Sequence, residues 1–399
     1  MTTAIHPRSR KRKTSAVGRA VRTATPSNPL RVLESLGQSV WLDYLSRETI
    51  NSGQLRKWIE TDGATGLTSN PAIFEKDIAG SHDYDAPIRT FAREGRSVEE
   101  IYEALTVGDI RMAADLFRPV FDRTKGADGF VSLEVSPKLA RDTNGTIAEA
   151  RRLWAAVDRP NLFIKVPATV EGLPAIQQLI SERINVNITL LFGLPRYRRV
   201  ADAYLSGLEL LAKKNERLES VVSVASFFLS RIDVLVDPLL EEIKTVGGPR
   251  AEMVARLQGA VAIACAKIAA LMYQQIFSSA RFRKLAALGA RPQRLLWAST
   301  GNKNPAYPDL KYVEPLIGPD TINTMPIKTL DAYRDHGQPA PALGAGVSEA
   351  HANLTHLAEL GINLDTVTQQ LENEGIAKFN KPFDHSLEIL KKARENALR

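Results

Sequence analysis

Lys165 is the residue most at odds with its surroundings, an amine set between Ile164 and Val166 in the apolar run LFIKVPA. Burying an ammonium group is costly. Desolvation lowers the pKa of a lysine, so a fraction of neutral amine exists near pH 7, and a neutral amine attacks ketone carbonyls to form a Schiff base. The competing reading is an edge-strand lysine that snorkels to water, which a closed barrel, having no edge, disfavours. The same oddity recurs in other apolar runs: Asp43 in VWLDYL, Asn70 at the end of TGLTSN, Glu134 in FVSLEV, and Asn187 with Thr189 in NVNITLLF. A strand would point Asn187 and Thr189 to one face and Val186 and Ile188 to the other. Singly, each of these is equally well a buried polar residue satisfied by backbone or a helix N-cap just past a strand. Together they form a pattern, because two carboxylates beside an amine are what carbon–carbon cleavage through an iminium needs. One group relays protons as the carbinolamine dehydrates and the other removes the substrate hydroxyl proton.

A second set suits an anion. Ser226 and Phe228 end the run VVSVASFF, Arg231 follows three residues later, and Ser299, Thr300, Gly301, Asn302 and Lys303 follow the run RLLWAS. A hydroxyl-rich turn containing glycine, with Arg and Lys close by, suits a phosphate group. The bland alternative is an ordinary turn, with Arg231 paired to Asp233 or Asp237. Metal, triad and nucleotide chemistry find little support. The six histidines (His6, His82, His336, His351, His356 and His385) fall in the tail, loops or terminal helices, and there is no HExxH, GxSxG or GxxxxGK[ST]. No metal and no cofactor is therefore expected.

Positioning these residues requires strands. Eight short apolar runs, at 40–45, 65–70, 130–135, 162–168, 185–192, 221–228, 294–299 and 321–326, alternate with helix-period segments such as 146–157, 174–182, 197–213 and 252–277. That alternation predicts an α/β fold, a (β/α)8 barrel in preference to a doubly wound sheet, and no GxGxxG follows any strand. The side chains that look misplaced would then gather at the C-terminal ends of the strands, where barrel active sites lie. A helical insertion is expected over residues 82–120 after the second strand, and two or three helices over 347–399, capping the barrel or forming a lid. Residues 30–399 read as a single domain.

The composition agrees. The chain has 399 residues, 44% hydrophobic and 24% charged, enough for a sizeable core. The net charge of +7 resides in the N-terminal tail, where Arg8, Arg10, Lys11, Arg12, Lys13, Arg19 and Arg22 meet no acid, while the remainder balances at 45 basic against 45 acidic residues. A nucleic-acid-binding stripe across the folded body is thus unsupported. Residues 1–29 read as a disordered basic tail, a plain extension in preference to an organelle transit peptide, which gives a cytoplasmic expectation with import as the lesser alternative. Cys265 has no partner for an intrachain disulfide and reads as a small core residue. Lys267 interrupts the best apolar stretch, which argues against a membrane span.

With these residues in hand, the chain resembles the transaldolase family, in particular its longer bacterial branch. The segments that carry the resemblance are SVWLDYLSR, GLTSNPAIFEKDIAGS, VSLEVSP, LFIKVPAT, INVNITLLF, VASFFLSRID and WASTGNKNPAY, in that order, from about Leu36 to Lys328. The resemblance implies a metal-free class I aldolase barrel that moves a dihydroxyacetone unit between sugar phosphates in the pentose phosphate pathway. It implies that Lys165 forms the Schiff base, that Glu134 works through a water held with Thr189, and that Asp43 takes the proton of the donor C4 hydroxyl. Asn70, Asn187 and Ser226 would hold the dihydroxyacetone hydroxyls, Phe228 would line the site, and Arg231 and Ser299 would bind phosphate. One departure concerns the turn after the seventh strand, where the better-known short branch has a Ser-x-Arg arrangement. Here Lys303 stands in as a point charge without the bidentate fork. The alternative within the resemblance is a Schiff-base fructose 6-phosphate aldolase releasing free dihydroxyacetone, although those relatives are much shorter. Sugar phosphates are the expected partners, and a monomer and a homodimer both stay open.

Overall fold

The computed structural model describes residues 1–3, 28–244 and 249–398. The expected basic tail lies almost wholly outside the described residues. Its last two positions belong to the fold instead: Pro29 opens the helix Pro29–Ser35, and the Asn28 side chain caps it by accepting from the Leu30 amide at 3.1 Å. Proline suits this first position because its missing N–H would have no helical partner there.

Among the described residues, eight parallel strands close into a barrel in sequential order. They are β1 (Gln38–Asp43), β2 (Ala64–Thr68), β3 (Val131–Glu134), β4 (Leu162–Pro167), β5 (Val186–Leu191), β6 (Ser223–Phe228), β7 (Arg294–Ala298) and β8 (Thr321–Met325). All eight coincide with the apolar runs read from the sequence. Both faces of β4, β5 and β6 are buried along their whole length, which is why these strands read as continuous apolar runs. No edge is left for Lys165 to snorkel from.

Side-chain alternation stacks the barrel interior in layers. Trp41 lies two residues below Asp43 and Phe163 two below Lys165, so each aromatic ring shares a face with a polar residue nearer the strand's C-terminal end. The Trp41 and Phe163 rings lie 6.1 Å apart, and Phe163 packs on Phe130 at 4.4 Å. Gly66 of β2 makes room for the indole, since a Cβ there would come within 2.4 Å of the Trp41 ring. An apolar plug thus supports the polar residues above it and keeps water from reaching them from below.

Two elements differ from the sequence expectation, and the C-terminal region agrees with it. The helix expected over 252–277 is two helices, Pro249–Leu257 and Val261–Phe277, bent by 66° at a break where Gly259 takes φ +67°. Cys265 is buried in the second of them, and Lys267 donates to the Ala342 carbonyl at 3.0 Å, tying down the Pro-Ala loop. The insertion after β2 begins earlier than expected, with Pro71–Gly80 and Asp85–Arg93, whereas Val98–Arg123 is the crossover helix of the repeat and packs on β2 and β3. The C-terminal region is two helices, Val347–Glu359 and Leu364–Ala397. The longer one packs against Pro71–Gly80, the turn Pro137–Leu139, β5 and the helix Ser230–Lys244, elements at or beyond strand C-terminal ends, and so lies across the barrel mouth. No single helix among the described residues is long and apolar enough to cross a membrane.

Candidate active site

Parallel pairing sets the central residues side by side. Glu134 on β3 is in register with Lys165 on β4, Lys165 with Asn187 on β5, and Pro167 with Thr189. Lys165 Nζ, in a residue only 5% exposed, donates to the Ser69 carbonyl at 2.9 Å and lies 3.2 Å from Glu134 Oε2. Neither Glu134 oxygen has a well-aligned hydrogen bond among the described residues. Burial pushes the Glu134 carboxyl above its ordinary range, with Lys165 pulling the other way. Asp43 behaves similarly: burial raises it, against the charges of Lys165, Lys303 and Arg231 and a 3.1 Å hydrogen bond donated by Thr68.

A buried polar belt runs around the adjoining strands. Ser226 donates to Asn187 Oδ1 at 2.6 Å, and Asn187 Nδ2 donates to Ser132 Oγ at 3.0 Å, so the amide orientation is fixed from both ends. Thr189 Oγ is buried and has no hydrogen-bond partner among the described residues. The residue after it, Leu190, adopts φ +52° where the pairing of β5 with β6 shifts register, a left-handed conformation costly for a leucine.

Asp43, Asn70, Lys165, Ser226, Phe228, Arg231, Ser299 and Lys303 line one cavity of about 140 Å³ at the strand ends. Glu134 faces a neighbouring cavity of about 280 Å³ formed with Tyr102, Glu149 and Phe383, and Asn70 borders both, so the Lys165–Glu134 pair stands in the partition. Asn187 reaches the first cavity only through Ser226. Thr189 borders neither cavity.

Several sequence readings resolve here. Asn70 is an N-cap, its Oδ1 accepting from the Ala72 and Ile73 amides at 3.0 and 3.1 Å, and its residue still borders the cavity. Arg231 pairs with neither Asp233 nor Asp237. Those carboxylates instead accept from the Tyr312 and Tyr307 hydroxyls at 2.9 and 2.8 Å. Ser299 takes φ +54°, and its carbonyl accepts the Ser230 amide at 3.1 Å, which shapes the turn beside Arg231. His82, His336, His351, His356 and His385 lie outside the site, and His385 sits 2.7 Å from Glu75 on the outer surface.

Sequence reasoning missed Thr68, Thr324 and Phe379, all of which line the cavity. Thr68 and Thr324 share a 2.8 Å hydrogen bond across the barrel seam, and hydroxyls inside apolar strands were the available signal. Phe379 carried none, being one more apolar residue on an amphipathic helix.

The sequence matches known proteins. The family model for transaldolase/fructose-6-phosphate aldolase matches residues 40–390. A protein named transaldolase from Trichodesmium erythraeum is 50% identical over 362 residues, covering 90% of this chain and 95% of that one. One of the same name from Thiobacillus denitrificans is 50% identical over 356 residues, covering 89% and 98%. A Nostoc protein named transaldolase 2 is 45% identical over 368 residues, covering 91% and 97%. The chain belongs to the transaldolase/fructose-6-phosphate aldolase family.

Proposed function

We infer that this chain is a transaldolase, transferring a dihydroxyacetone unit from sedoheptulose 7-phosphate or fructose 6-phosphate to an aldose phosphate. The observation that carries the reading is the Lys165 amine held 3.2 Å from Glu134 beside a cavity that also contains Asp43. Glu134, whose carboxyl burial favours in its protonated form, takes a proton from the ammonium and leaves a neutral amine. The amine adds to the ketose C2, and Glu134, acting through a water held with Thr189, protonates the departing hydroxyl so that the carbinolamine loses water. Asp43 then removes the C4 hydroxyl proton. The C3–C4 electron pair moves into the iminium, the aldose phosphate departs, and an enamine remains on Lys165. Addition of the enamine to the acceptor aldehyde reverses these steps, Asp43 returning its proton to the new hydroxyl, and hydrolysis frees the product ketose.

Ser226 and Asn70 hold the dihydroxyacetone hydroxyls, Asn187 acting on them through the Ser226 hydroxyl it orients, with Phe228 as an apolar wall. Arg231, Ser299 and Lys303 receive the phosphate, Lys303 supplying a point charge from the turn after β7. Residues 30–399 act as one unit in this reading, because the C-terminal helix completes a wall of the cavity.

A transfer assay tests the reading. Fructose 6-phosphate with erythrose 4-phosphate should yield sedoheptulose 7-phosphate and glyceraldehyde 3-phosphate. Release of free dihydroxyacetone with no seven-carbon product would assign the chain to fructose 6-phosphate aldolase chemistry instead.

A further inference from the structure

Arg231 is an unusual cation in this molecule. Its Nη1 is buried with no hydrogen-bond partner among the described residues, and no carboxylate is within ion-pair distance of it there. Glu374 on the C-terminal helix, whose charge acts on it, is engaged by Lys378 at 3.0 Å. What holds the guanidinium is aromatic. The Phe228 ring centroid lies 5.5 Å from its central carbon and the Phe379 centroid 5.9 Å.

The two rings come from distant parts of the chain. Phe228 ends β6, while Phe379 lies on the helix Leu364–Ala397 that crosses the barrel mouth. Gly375 sits one helical turn before Phe379 on the same face and permits the approach: a Cβ there would lie 2.8 Å from Leu190 Cδ2 and 3.8 Å from Arg231 Nη1. The helix can therefore seat Phe379, itself only 5% exposed, in the wall of the cavity that contains Lys165.

We propose that Phe379 is a specificity-determining residue, which with Phe228 clamps the Arg231 guanidinium so that its N–H groups stay free for the phosphate of the substrate. An arginine paired with a carboxylate would have to exchange that partner for the phosphate. Ring faces orient the cation without occupying its donors and leave the fork open to bidentate contact. This rests on the assignment of Arg231 to phosphate given above and extends it to a helix that sequence reasoning left as a cap or a lid.

The test compares glyceraldehyde 3-phosphate with unphosphorylated glyceraldehyde as acceptor, taking the ratio of their kcat/KM values as the readout. Phe379→Ala should lower this ratio about tenfold, mainly through KM for the phosphorylated acceptor. Phe379→Leu, which keeps apolar bulk but lacks a ring face, should behave like alanine, and Phe379→Tyr should restore the preference. Borohydride trapping at Lys165 is run in parallel on the wild-type chain and each variant. An unchanged ratio in Phe379→Ala, or full selectivity in Phe379→Leu, overturns the clamp, as does an equal loss for both acceptors. Absence of a trapped adduct in the wild-type chain would instead overturn the Schiff-base reading beneath it.

Discussion

Glu134 and Asn187 represent two ways of keeping a polar group inside a barrel. Asn187 is satisfied from both ends by Ser226 and Ser132, whereas Glu134 has only the nearby amine and a raised carboxyl pKa. The first arrangement holds the amide in place, and removing Ser226 shows what that is worth: Ser226→Ala leaves Asn187 Oδ1 buried without its donor, at an expected cost of about 1–3 kcal/mol in urea denaturation. The second is reactive. Glu134→Gln keeps the shape but cannot accept a proton, so kcat should fall about 10²- to 10⁴-fold with a smaller change in KM, read from steady-state kinetics. These residues were legible in the sequence because lysine, aspartate or glutamate inside a doubly buried strand has few structural explanations. Asn70 was ambiguous for a physical reason, since capping a helix and lining the cavity are both compatible with one position just past a strand. Arg231 was legible as a candidate, but its freedom from Asp233 and Asp237 was not, because that depends on tyrosines some 70 to 80 residues away in sequence.

At the level of elements, all eight strands stood out as apolar runs, since burial on both faces removes polar alternation and leaves a compositional mark. Helix boundaries were less visible. The run from 252 to 277 keeps its apolar period through Gly259, and only the backbone's left-handed turn there separates two helices. The role of the last helix stayed open between cap and lid, because crossing the barrel mouth is a long-range fact that local periodicity does not encode. Gly66 likewise gives no local warning, although it fixes how the barrel interior fills. Gly66→Ala would drive a Cβ into the fully buried Trp41 ring and should destabilise the chain by about 1–3 kcal/mol or more. A denaturation midpoint equal to that of wild type would show that the ring can move, and that the plug beneath Asp43 and Lys165 is looser than described.

The whole molecule carries a set of buried acids whose charged forms are disfavoured. Burial raises Asp109 to about 6 despite Arg47, and Asp233 to about 6 despite the Ala262 amide and Tyr312. A carboxyl whose pKa is higher folded than unfolded binds more protons in the folded state through the intervening range, so it favours folding at low pH and loses that contribution as pH rises through about 6. Asp43, Glu134 and Glu149 are shifted in the same direction. The carboxylates held below their ordinary range, Asp115, Glu182, Glu209 and Glu374, act oppositely but only below their unfolded values near 4. Stability should therefore fall between pH 5.5 and 7.5, by about 1 kcal/mol for each of Asp109 and Asp233, measured by urea denaturation at the two pH values. Stability rising over that interval would mean that these acids are better paired or better hydrated than their burial indicates.

The most direct measurement is borohydride reduction of the intact chain in the presence of fructose 6-phosphate, followed by mass analysis of its peptides. A reduced three-carbon adduct on the peptide containing Lys165, absent without sugar and absent in Lys165→Met, is the predicted result. An unmodified Lys165 in a chain that still turns over ketose phosphate would contradict the account, because the buried amine beside Glu134 and Asp43 would then not be the nucleophile.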